Sequence, residues 1–424
     1  MTTQTGRVTA AAVTAASAYT PRQRRLILAF AIVGALIESM ELNLLSFPLR
    51  DLAASFSVSS QAVVGVITLQ SLASIAGGFL FGWLADRYGR RLTYVTFTGL
   101  YSVAAVAGGF ITDFELFTAT RVVAGLAMGG AFGVIFSMFA ESWKSPKRGL
   151  MGSVLQGMFI AGTLITQLVL YTTISALGSD SGWRSGFIGI GLGCLLIAAA
   201  AAIWLPESKV WQAARSAPSV SADGAPRGRP DAALVRGGLF LTLCTTGVFA
   251  ASYSYITFAP TFLREVVGAD LATSTLVLTL GTLLGIASYV VAGAASDRVG
   301  RRKATLGAGV VGVLGFGAFA LLASGSPLLA IIALMGPAIG YAGFGVLGTW
   351  ISEYYPTRFR AFGSGATYYV ARGVGSGLFP LATLSFAGGD LRYALALGGI
   401  GAIVGLIGCQ FVPETVNKII SADQ

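Results

Sequence analysis

Two acidic side chains, Glu38 and Glu41, stand three residues apart in the long apolar stretch 26–49. In a helix this spacing places both carboxyls on one face, about one turn apart. Burial and a like-charged neighbour both favour the protonated form of a carboxyl. The pair therefore has the chemistry to take up and release a proton. The alternative is a static ion pair with Arg121 or Arg372 that only fixes how the helices pack.

Two arginines also fall inside apolar stretches, and each is a natural partner for a carboxylate. Arg121 precedes a glycine-rich stretch that allows helices to approach closely. It either holds a glutamate of the first stretch in its charged form or extends toward the membrane surface. Arg372 follows Tyr368 and Tyr369 by one turn, and its partner is either an anionic ligand or Glu41.

The elements that carry these residues must be stable in an apolar medium. Of the 424 residues 54% are hydrophobic and 11% are charged, whereas soluble domains carry about 25% charged residues. A membrane-spanning helix needs roughly 20 apolar residues. Twelve runs qualify: 26–49, 60–84, 92–111, 115–140, 150–174, 185–205, 237–262, 271–295, 304–323, 327–351, 361–386 and 391–412.

The composition also excludes several classes of function. The net charge of +10 falls in short clusters between the apolar runs, which argues against nucleic-acid binding. The sequence has no histidine, so histidine relays and most zinc or haem sites are excluded, and we expect no metal and no cofactor. Its three cysteines lie inside apolar runs and predict no disulfide framework.

The distribution of Lys and Arg predicts the orientation. With the N-terminus inside, the inner segments hold 22 of the 28, the outer loops hold four and the spans hold two. This bias predicts cytoplasmic termini. Residues 1–22 read as a disordered cytoplasmic tail without the apolar core of a signal peptide. The predicted organisation is then a six-helix bundle at 23–205, a polar linker at 206–236, a second bundle at 237–413 and a tail at 414–424.

The two halves repeat each other. Asp86 and Asp297 are 211 residues apart, and Glu141 and Glu353 are 212 apart. Arg148 and Arg360 share the offset of 212, and both halves end in a Pro-Glu-Ser/Thr triplet, at 206–208 and 413–415. In transporters such repeats rock about a site near the membrane midplane.

One loop motif carries a family resemblance. The run 82–91, GWLADRYGRR, recurs as GAASDRVGRRK at 293–303. Both copies resemble the signature loop of the major facilitator superfamily, between spans 2 and 3 and between spans 8 and 9. The resemblance implies an all-α membrane protein whose twelve transmembrane helices form two pseudo-symmetric six-helix bundles.

The physics of this loop favours a cytoplasmic gate. A carboxylate at a helix end accepts hydrogen bonds from a facing helix N-terminus or an arginine, and a glycine permits the tight turn. Arg90 and Arg91 can reach Glu141, with the equivalent contact in the second half. The alternative is that the motif is only a short turn, whose arginines set the orientation of the chain in the membrane. The predicted gate residues are Asp86, Arg87, Gly89, Arg90, Glu141, Asp297, Arg298, Gly300, Arg301 and Glu353, with Arg302 as an alternative to Arg301.

Further segments resemble the metabolite:proton symporter branch, which holds aromatic-acid, sialate and other organic-acid carriers. They include Glu141-Ser-Trp143, Gly182-Trp183-Arg184 and Glu353-Tyr-Tyr-Pro356. An Asp-Gly-x-Asp element of such carriers would correspond to 38–41, where both acids are glutamate. The resemblance implies proton-coupled symport of a small organic anion across the cell (inner) membrane. Candidate proton-coupling residues are Glu38, Glu41 and Arg121, and candidate substrate-binding residues are Arg372, Tyr368, Tyr369, Asn43, Gln70, Gln156, Tyr253, Tyr255 and Tyr341.

Two other functions compete with this prediction. The glutamate pair suits a cationic or zwitterionic solute and export, and a transporter-like sensor would bind its solute without moving it. An enzyme is not expected, since no nucleophile, base and orienting group occur together. The expected partners are a small-molecule substrate, protons and the lipid bilayer, with a monomer as the expected state and no nucleic acid.

Overall fold

The computed structural model describes residues 19–45, 47–143, 148–216, 231–356 and 359–416. Every regular element in these ranges is a helix. Parts of the predicted tails and linker lie outside the described residues, as do the side chains of Arg148 and Tyr341. The predicted bounds of the two bundles stay a prediction.

The first half of the described chain forms six long helices, here called spans 1 to 6. They are Pro21–Asn43, Ser60–Tyr88, Arg90–Phe110, Phe114–Met128 continued by Ala131–Ser142, Arg148–Leu177 and Ser179–Trp204. A short helix, Leu49–Ser55, follows span 1, and another, Lys209–Ser216, follows span 6 inside the predicted linker.

The second half forms spans 7 to 12 in the same order. They are Ala232–Thr261, Leu271–Val299, Arg301–Leu322, Pro327–Ile339 continued by Phe344–Tyr354, Arg360–Arg372 continued by Phe379–Phe386, and Leu391–Ala396 continued by Gly398–Gln410. A π-helical turn, Phe262–Val266, extends span 7.

Eleven of the helices in the described part of the chain are long and apolar enough to cross a membrane. Span 11 is the exception, because it carries Arg360 and Arg372 and is interrupted by the π-helix Gly373–Leu378. All twelve predicted apolar runs nevertheless lie on helical spans. The predicted all-α membrane architecture is confirmed.

The predicted boundaries are wrong by several residues at some ends. Span 1 ends at Asn43 rather than at 49, and a separate helix begins after Pro48, whose ring lacks an N–H and restricts the preceding residue. Spans 6 and 7 begin at 179 and 232 rather than at 185 and 237. A predicted apolar run ends at the first polar residues. The helix itself can continue past them as long as its backbone hydrogen bonds are satisfied.

Spans 2 and 8 likewise run past their predicted ends, to Tyr88 and Val299. Each is then reversed by a glycine with positive φ, 111° at Gly89 and 99° at Gly300. An L-residue with a side chain rarely adopts this conformation. The next helix begins at the residue after each glycine. Spans 2 and 3, and likewise spans 8 and 9, are therefore joined by a single-residue turn. We call this end of the bundle the motif face.

Spans 4 and 10 are both interrupted near their centres. Span 4 breaks at Gly129 and Gly130, and span 10 passes through a 3₁₀ turn, Gly340–Gly343. These breaks occupy corresponding positions in the two halves. A helix break frees backbone N–H and C=O groups that must find other partners when they are buried.

Glycines bring the two halves into direct backbone contact. A Cβ placed on Gly82 of span 2 would lie 2.6 Å from the Cα of Phe362 on span 11. A Cβ on Gly293 of span 8 would lie 2.5 Å from the Cβ of Ser153 on span 5. The same close approach is thus repeated on both sides of the molecule, and small residues at helix interfaces permit it.

Candidate functional site

Glu38 of span 1 meets span 11 across the interface between the halves. The Tyr369 hydroxyl lies 2.7 Å from Glu38 Oε1, and Arg372 Nη1 lies 3.5 Å from the same oxygen. All three side chains are buried, with Glu38 only 3% exposed. The sequence left a ligand, Glu41 or a static pair with either glutamate as alternatives for Arg372, and the structure places Glu38 there.

The Tyr369 hydroxyl also reaches the break in span 4. It lies 2.6 Å from the Met128 carbonyl oxygen and accepts a hydrogen bond of 3.4 Å from the Phe132 N–H. These are the carbonyl and the amide that an unbroken helix would join directly, four residues apart. Span 11 therefore supplies a hydroxyl to the gap that Gly129 and Gly130 leave in span 4.

Aromatic rings from both halves pack around Tyr368, which lies one turn before Arg372. The ring of Tyr368 stacks on Phe132 across the two halves, with centroids 3.7 Å apart and planes 9° apart. Phe249 of span 7 packs edge-on against Tyr368, and Tyr253 packs against Phe249. Sequence reasoning missed Phe132 and Phe249. The one available signal was the position of Phe132 directly after the glycine pair.

Arg372 does not use all of its hydrogen-bond donors. Its guanidinium is buried, and its Nη1 makes no hydrogen bond within the described residues. The guanidinium carbon lies 5.9 Å from the Tyr369 ring centre, and Tyr253 and Tyr368 are close enough to interact with its charge. A buried cation with an unused donor, walled by aromatic rings, fits a planar anion such as a carboxylate.

Glu41 and Arg121 form a second, separate pair. Arg121 Nη1 lies 2.9 Å from Glu41 Oε1, and both side chains are buried within the first half. The guanidinium also donates to the Ala104 carbonyl and lies over the rings of Phe117 and Phe187. Arg121 thus faces a glutamate of span 1, as one predicted alternative had it, and does not extend to the membrane surface.

The remaining predicted substrate residues divide into two groups. Gln156 lies close enough to Tyr368 to interact with its hydroxyl, which places it in the Arg372 cluster. Asn43 instead donates to the Ser39 carbonyl and to Thr163 of span 5, so its amide serves helix packing.

Three further candidates remain, namely Tyr255, Gln70 and Tyr341. Tyr255 packs against Gly281 of span 8, where its hydroxyl fills the space of the missing side chain. Gln70 is buried, and its amide atoms have no hydrogen-bond partner among the described residues. The side chain of Tyr341 lies outside the described residues.

The first copy of the loop motif binds the opposite half at the motif face. The Asp86 carboxylate accepts hydrogen bonds from the backbone N–H groups of Ala361 and Phe362, at 3.2 and 2.9 Å, where span 11 begins. Arg90 lies 3.0 Å from Asp86 and 3.1 Å from Glu141. Glu141 in turn lies 2.9 Å from Arg360 of span 11.

The second copy repeats this geometry in the other direction. The Asp297 carboxylate accepts from the N–H groups of Gly149 and Leu150 at the start of span 5, at 2.7 and 3.0 Å. Arg301 lies 2.7 Å from Asp297 and donates twice to Glu353, at 3.1 Å each. We call the contacts of Asp86 and Asp297 with the opposite half the two latches.

Some predicted gate side chains do not take part in the latches. Arg87 lies over the rings of Trp83 and Tyr88, and Arg298 is exposed. Arg91, predicted as an alternative partner of Glu141, donates to the Ala202 carbonyl instead. All three are at least partly exposed, whereas the arginine that directly follows each motif glycine, Arg90 or Arg301, is buried.

Sequence reasoning also missed two carboxylates that close the motif turns. Glu207 accepts from the N–H groups of Arg90 and Arg91, and Glu414 accepts from those of Arg301 and Arg302. Partial burial alone raises the pKa of Glu414, but the backbone N–H groups outweigh this and hold it below its usual value. The two Pro-Glu-Ser/Thr triplets were the signal, since an acid at a helix N-terminus is stabilised by the helix dipole.

The fold, the twice-repeated motif and the buried charges between the halves define a membrane transporter of the major facilitator type. The family model of the Major Facilitator Superfamily matches residues 27–380. The chain belongs to the major facilitator superfamily.

Its relatives are transporters rather than enzymes. It is 26% identical over 397 residues to the cis,cis-muconate transport protein of Acinetobacter baylyi, covering 91% of this chain and 93% of that protein. It is 23% identical over 435 residues to a niacin transporter of the same organism, covering 91% and 94%. A sialic acid transporter of Escherichia coli is 25% identical over 364 residues, covering 82% and 84%. The predicted resemblance to metabolite carriers is confirmed.

Among solved structures, the chain resembles a proton:xylose symporter bound to 6-bromo-6-deoxy-D-glucose. The TM-score is 0.77 at 19% identity, covering 96% of this chain and 99% of that one. A partially occluded, inward-open structure of the Escherichia coli xylose transporter gives a TM-score of 0.64 at 18% identity, covering 94% and 99%. Both likenesses confirm the fold.

Proposed function

We propose that this transporter moves a small organic anion, a carboxylate metabolite, together with protons by alternating access. The observation that carries this proposal is Arg372, a buried guanidinium with an unused donor at the interface between the halves. A bidentate carboxylate would satisfy it and neutralise its charge. The rings of Tyr368 and Tyr253, with the Gln156 amide, would line the same site.

The charges favour an anion over the cationic or zwitterionic solute that the glutamate pair first allowed. Glu41 is already neutralised by Arg121 at 2.9 Å, and Glu38 faces Arg372 and the Tyr369 hydroxyl. A cationic solute would have to displace an arginine from each. The relatives support an anion, since muconate, niacin and sialic acid are all carboxylic acids.

The motif face would be the cytoplasmic gate, shut in the conformation described here. Both latches join the two halves there, and the bias of Lys and Arg toward this side favours a cytoplasmic location of the termini in the inner membrane. Breaking the latches would let the halves rock and open the site to the cytoplasm.

Uptake into proteoliposomes tests the proposal. Nicotinate, cis,cis-muconate and sialic acid are offered with and without an inward proton gradient. We expect at least one of them to accumulate, and a protonophore to abolish the accumulation. Arg372→Gln should lower the apparent affinity for that anion more than tenfold, because the bidentate donor is lost, and Arg372→Lys should restore only part of it.

The control is Arg236→Gln, which makes the same charge change at an exposed position at the start of span 7. It should leave affinity unchanged. Accumulation of cationic rather than anionic solutes would contradict the proposal, and so would anion accumulation that Arg372→Gln does not alter.

A further inference from the structure

Tyr19 joins the start of span 1 to the segment that follows span 6. It precedes Thr20, the N-cap of span 1, and is only 4% exposed. Its oxygen accepts a hydrogen bond of 2.6 Å from the Lys209 N–H, at the start of the helix Lys209–Ser216, here called the linker helix. The Lys209 ammonium lies 5.6 Å from the centre of the tyrosine ring, within the range of a cation–π contact. Both ends of the tyrosine side chain are thus in contact with the linker.

The linker helix is fixed to the end of span 2. The Trp211 indole N–H donates to the Asp86 carbonyl oxygen at 2.9 Å, and Arg215 donates to the Arg87 carbonyl oxygen. These carbonyls belong to the last turn of span 2, where the helix itself supplies no partners. The linker helix therefore caps the element that carries the first latch.

The Ser208 hydroxyl connects Tyr19 to Glu141. Ser208 Oγ accepts from the Trp211 N–H at 3.1 Å, as the N-cap of the linker helix, and the Tyr19 hydroxyl lies 3.5 Å away. The serine has one proton, and it donates this proton to Glu141 Oε2. Burial raises the pKa of Tyr19 to about 12, so its hydroxyl is protonated at neutral pH and can point toward Ser208. The donors then run in one direction, from Lys209 through Tyr19 and Ser208 to the carboxylate.

The two oxygens of Glu141 have different partners. Oε2 accepts from Ser208, whereas Oε1 accepts from Arg90 of the same half at 3.1 Å and from Arg360 of span 11 at 2.9 Å. Glu141 is only 1% exposed, so no solvent replaces a contact that it loses. Ser208 therefore helps to set the orientation in which Oε1 faces the opposite half.

The second half repeats the hydroxyl but not the tyrosine. Thr415 Oγ1 donates to Glu353 Oε2 at 2.7 Å, as Ser208 does to Glu141. Within the described part of the chain, no tyrosine makes a hydrogen bond to Thr415. The Tyr19 contact is thus an addition to the duplicated plan, and the repeat itself does not account for it.

We propose that Tyr19 is a positioning residue for the motif face. It holds the backbone at Lys209, so that Ser208 keeps Glu141 turned toward Arg360. The proposal rests on the proposed role of this face as the cytoplasmic gate, and it adds the segment before span 1 to the parts that keep the gate shut. Without the Tyr19 hydroxyl, Ser208 and the carboxylate would be less constrained, and the bridge from Glu141 to Arg360 would break more often.

Hydrogen–deuterium exchange of the purified full-length protein tests this proposal at a distance from Tyr19. The readout is the peptide at the start of span 11, where the Ala361 and Phe362 amides are bonded to Asp86. Tyr19→Phe keeps the ring and removes only the hydroxyl. It should raise exchange in this peptide about two- to tenfold, the effect of one hydrogen bond. The matched control, Tyr88→Phe, removes the hydroxyl of an exposed tyrosine on the same face and should leave exchange unchanged.

A double-mutant cycle tests the route through Ser208. Ser208→Ala should raise exchange at the start of span 11 at least as much as Tyr19→Phe, and adding Tyr19→Phe to it should have little further effect. Additive effects, or a Tyr19→Phe effect confined to the linker helix, would overturn the proposal. Arg360→Gln breaks the bridge between the halves directly. Faster exchange in Arg360→Gln but not in Tyr19→Phe would contradict this proposal alone, whereas unchanged exchange in both would contradict the proposed gate as well.

Discussion

At the scale of single residues, the two glutamates of span 1 have different environments although they are three residues apart. Three residues turn a helix by about 300°, so their side chains point about 60° apart. That difference directs Glu41 into the first half, toward Arg121, and Glu38 across the interface, toward Arg372. One pair lies within the first half, and the other joins the two halves.

The internal pair should be needed for stability. In Glu41→Met the charge of Arg121 is left buried without a partner, which costs about 3–5 kcal/mol. In Arg121→Met the loss should be smaller, because a carboxyl can take up a proton whereas a guanidinium does not lose one. Thermal unfolding in detergent measures both losses.

The double variant Glu41→Met/Arg121→Met is the control for this prediction. It removes both charges and should recover much of the lost stability, because well-packed apolar side chains can replace a buried ion pair. Equal destabilisation by the two single variants, with no recovery in the double, would show that packing rather than charge is responsible.

The sequence predicted which residues are buried and charged, but not all of their pairings. Four ionisable side chains in apolar runs had to find partners, whatever the fold. Which glutamate meets which arginine depends on the rotation of spans 1 and 11 about their axes, and this is set by packing. The role of the Tyr369 hydroxyl was also hidden, because it depends on a break at Gly129 and Gly130 that hydropathy does not register.

At the scale of elements, the contact between spans 2 and 11 depends on glycine. A methyl group on Gly82 would lie 2.6 Å from the Phe362 backbone, so the helices would have to separate. A change of rotamer cannot relieve this contact, since the opposing atom is the backbone Cα of Phe362. The close contact between the halves at the motif face therefore depends on the absence of a side chain at Gly82.

Gly82→Ala should shift the protein toward a conformation with the motif face open. Spin labels at Leu92 and Val299, both exposed near this face in different halves, report the opening as a longer interlabel distance. Gly99→Ala is the matched control, since a Cβ there meets nothing within 4 Å. An unchanged distance distribution in Gly82→Ala would contradict the role assigned to this helix contact.

At the scale of the whole molecule, the two latches cross between the halves. Asp86 of the first half holds the start of span 11, and Asp297 of the second half holds the start of span 5. The duplication was visible in the sequence as an offset of 211 residues between the two aspartates. The sequence did not show that each aspartate binds the opposite half, because a sequence repeat does not tell which helix N-termini face each other.

Asp86→Asn and Asp297→Asn should each weaken closure, because an amide in place of a carboxylate accepts weaker hydrogen bonds from the helix N-terminus. Hydrogen bonds to a charged group contribute about 1.5–3 kcal/mol, so each variant should raise the reactivity of a buried reporter about tenfold or more. The reporter is Ser153→Cys on span 5, with the three buried native cysteines replaced, and a thiol reagent measures its exposure.

The two single variants should have similar effects, since the geometry is repeated, and the double variant should have a larger one. Asp390→Asn is the control, because this aspartate caps span 12 by accepting from the Arg392 N–H and belongs to neither latch. Reporter reactivity that is the same in the wild type and the double variant would contradict the gate.

The crossed latches also have a consequence for timing. In the proposed alternating-access cycle both latches would have to break together, so the lifetime of the closed motif face would depend on the product of two small probabilities. A modest change at either aspartate then alters the cycling rate without touching the solute site. In the proposed mechanism the gate would set the pace of transport, while the buried charges between the halves would decide which solute is carried.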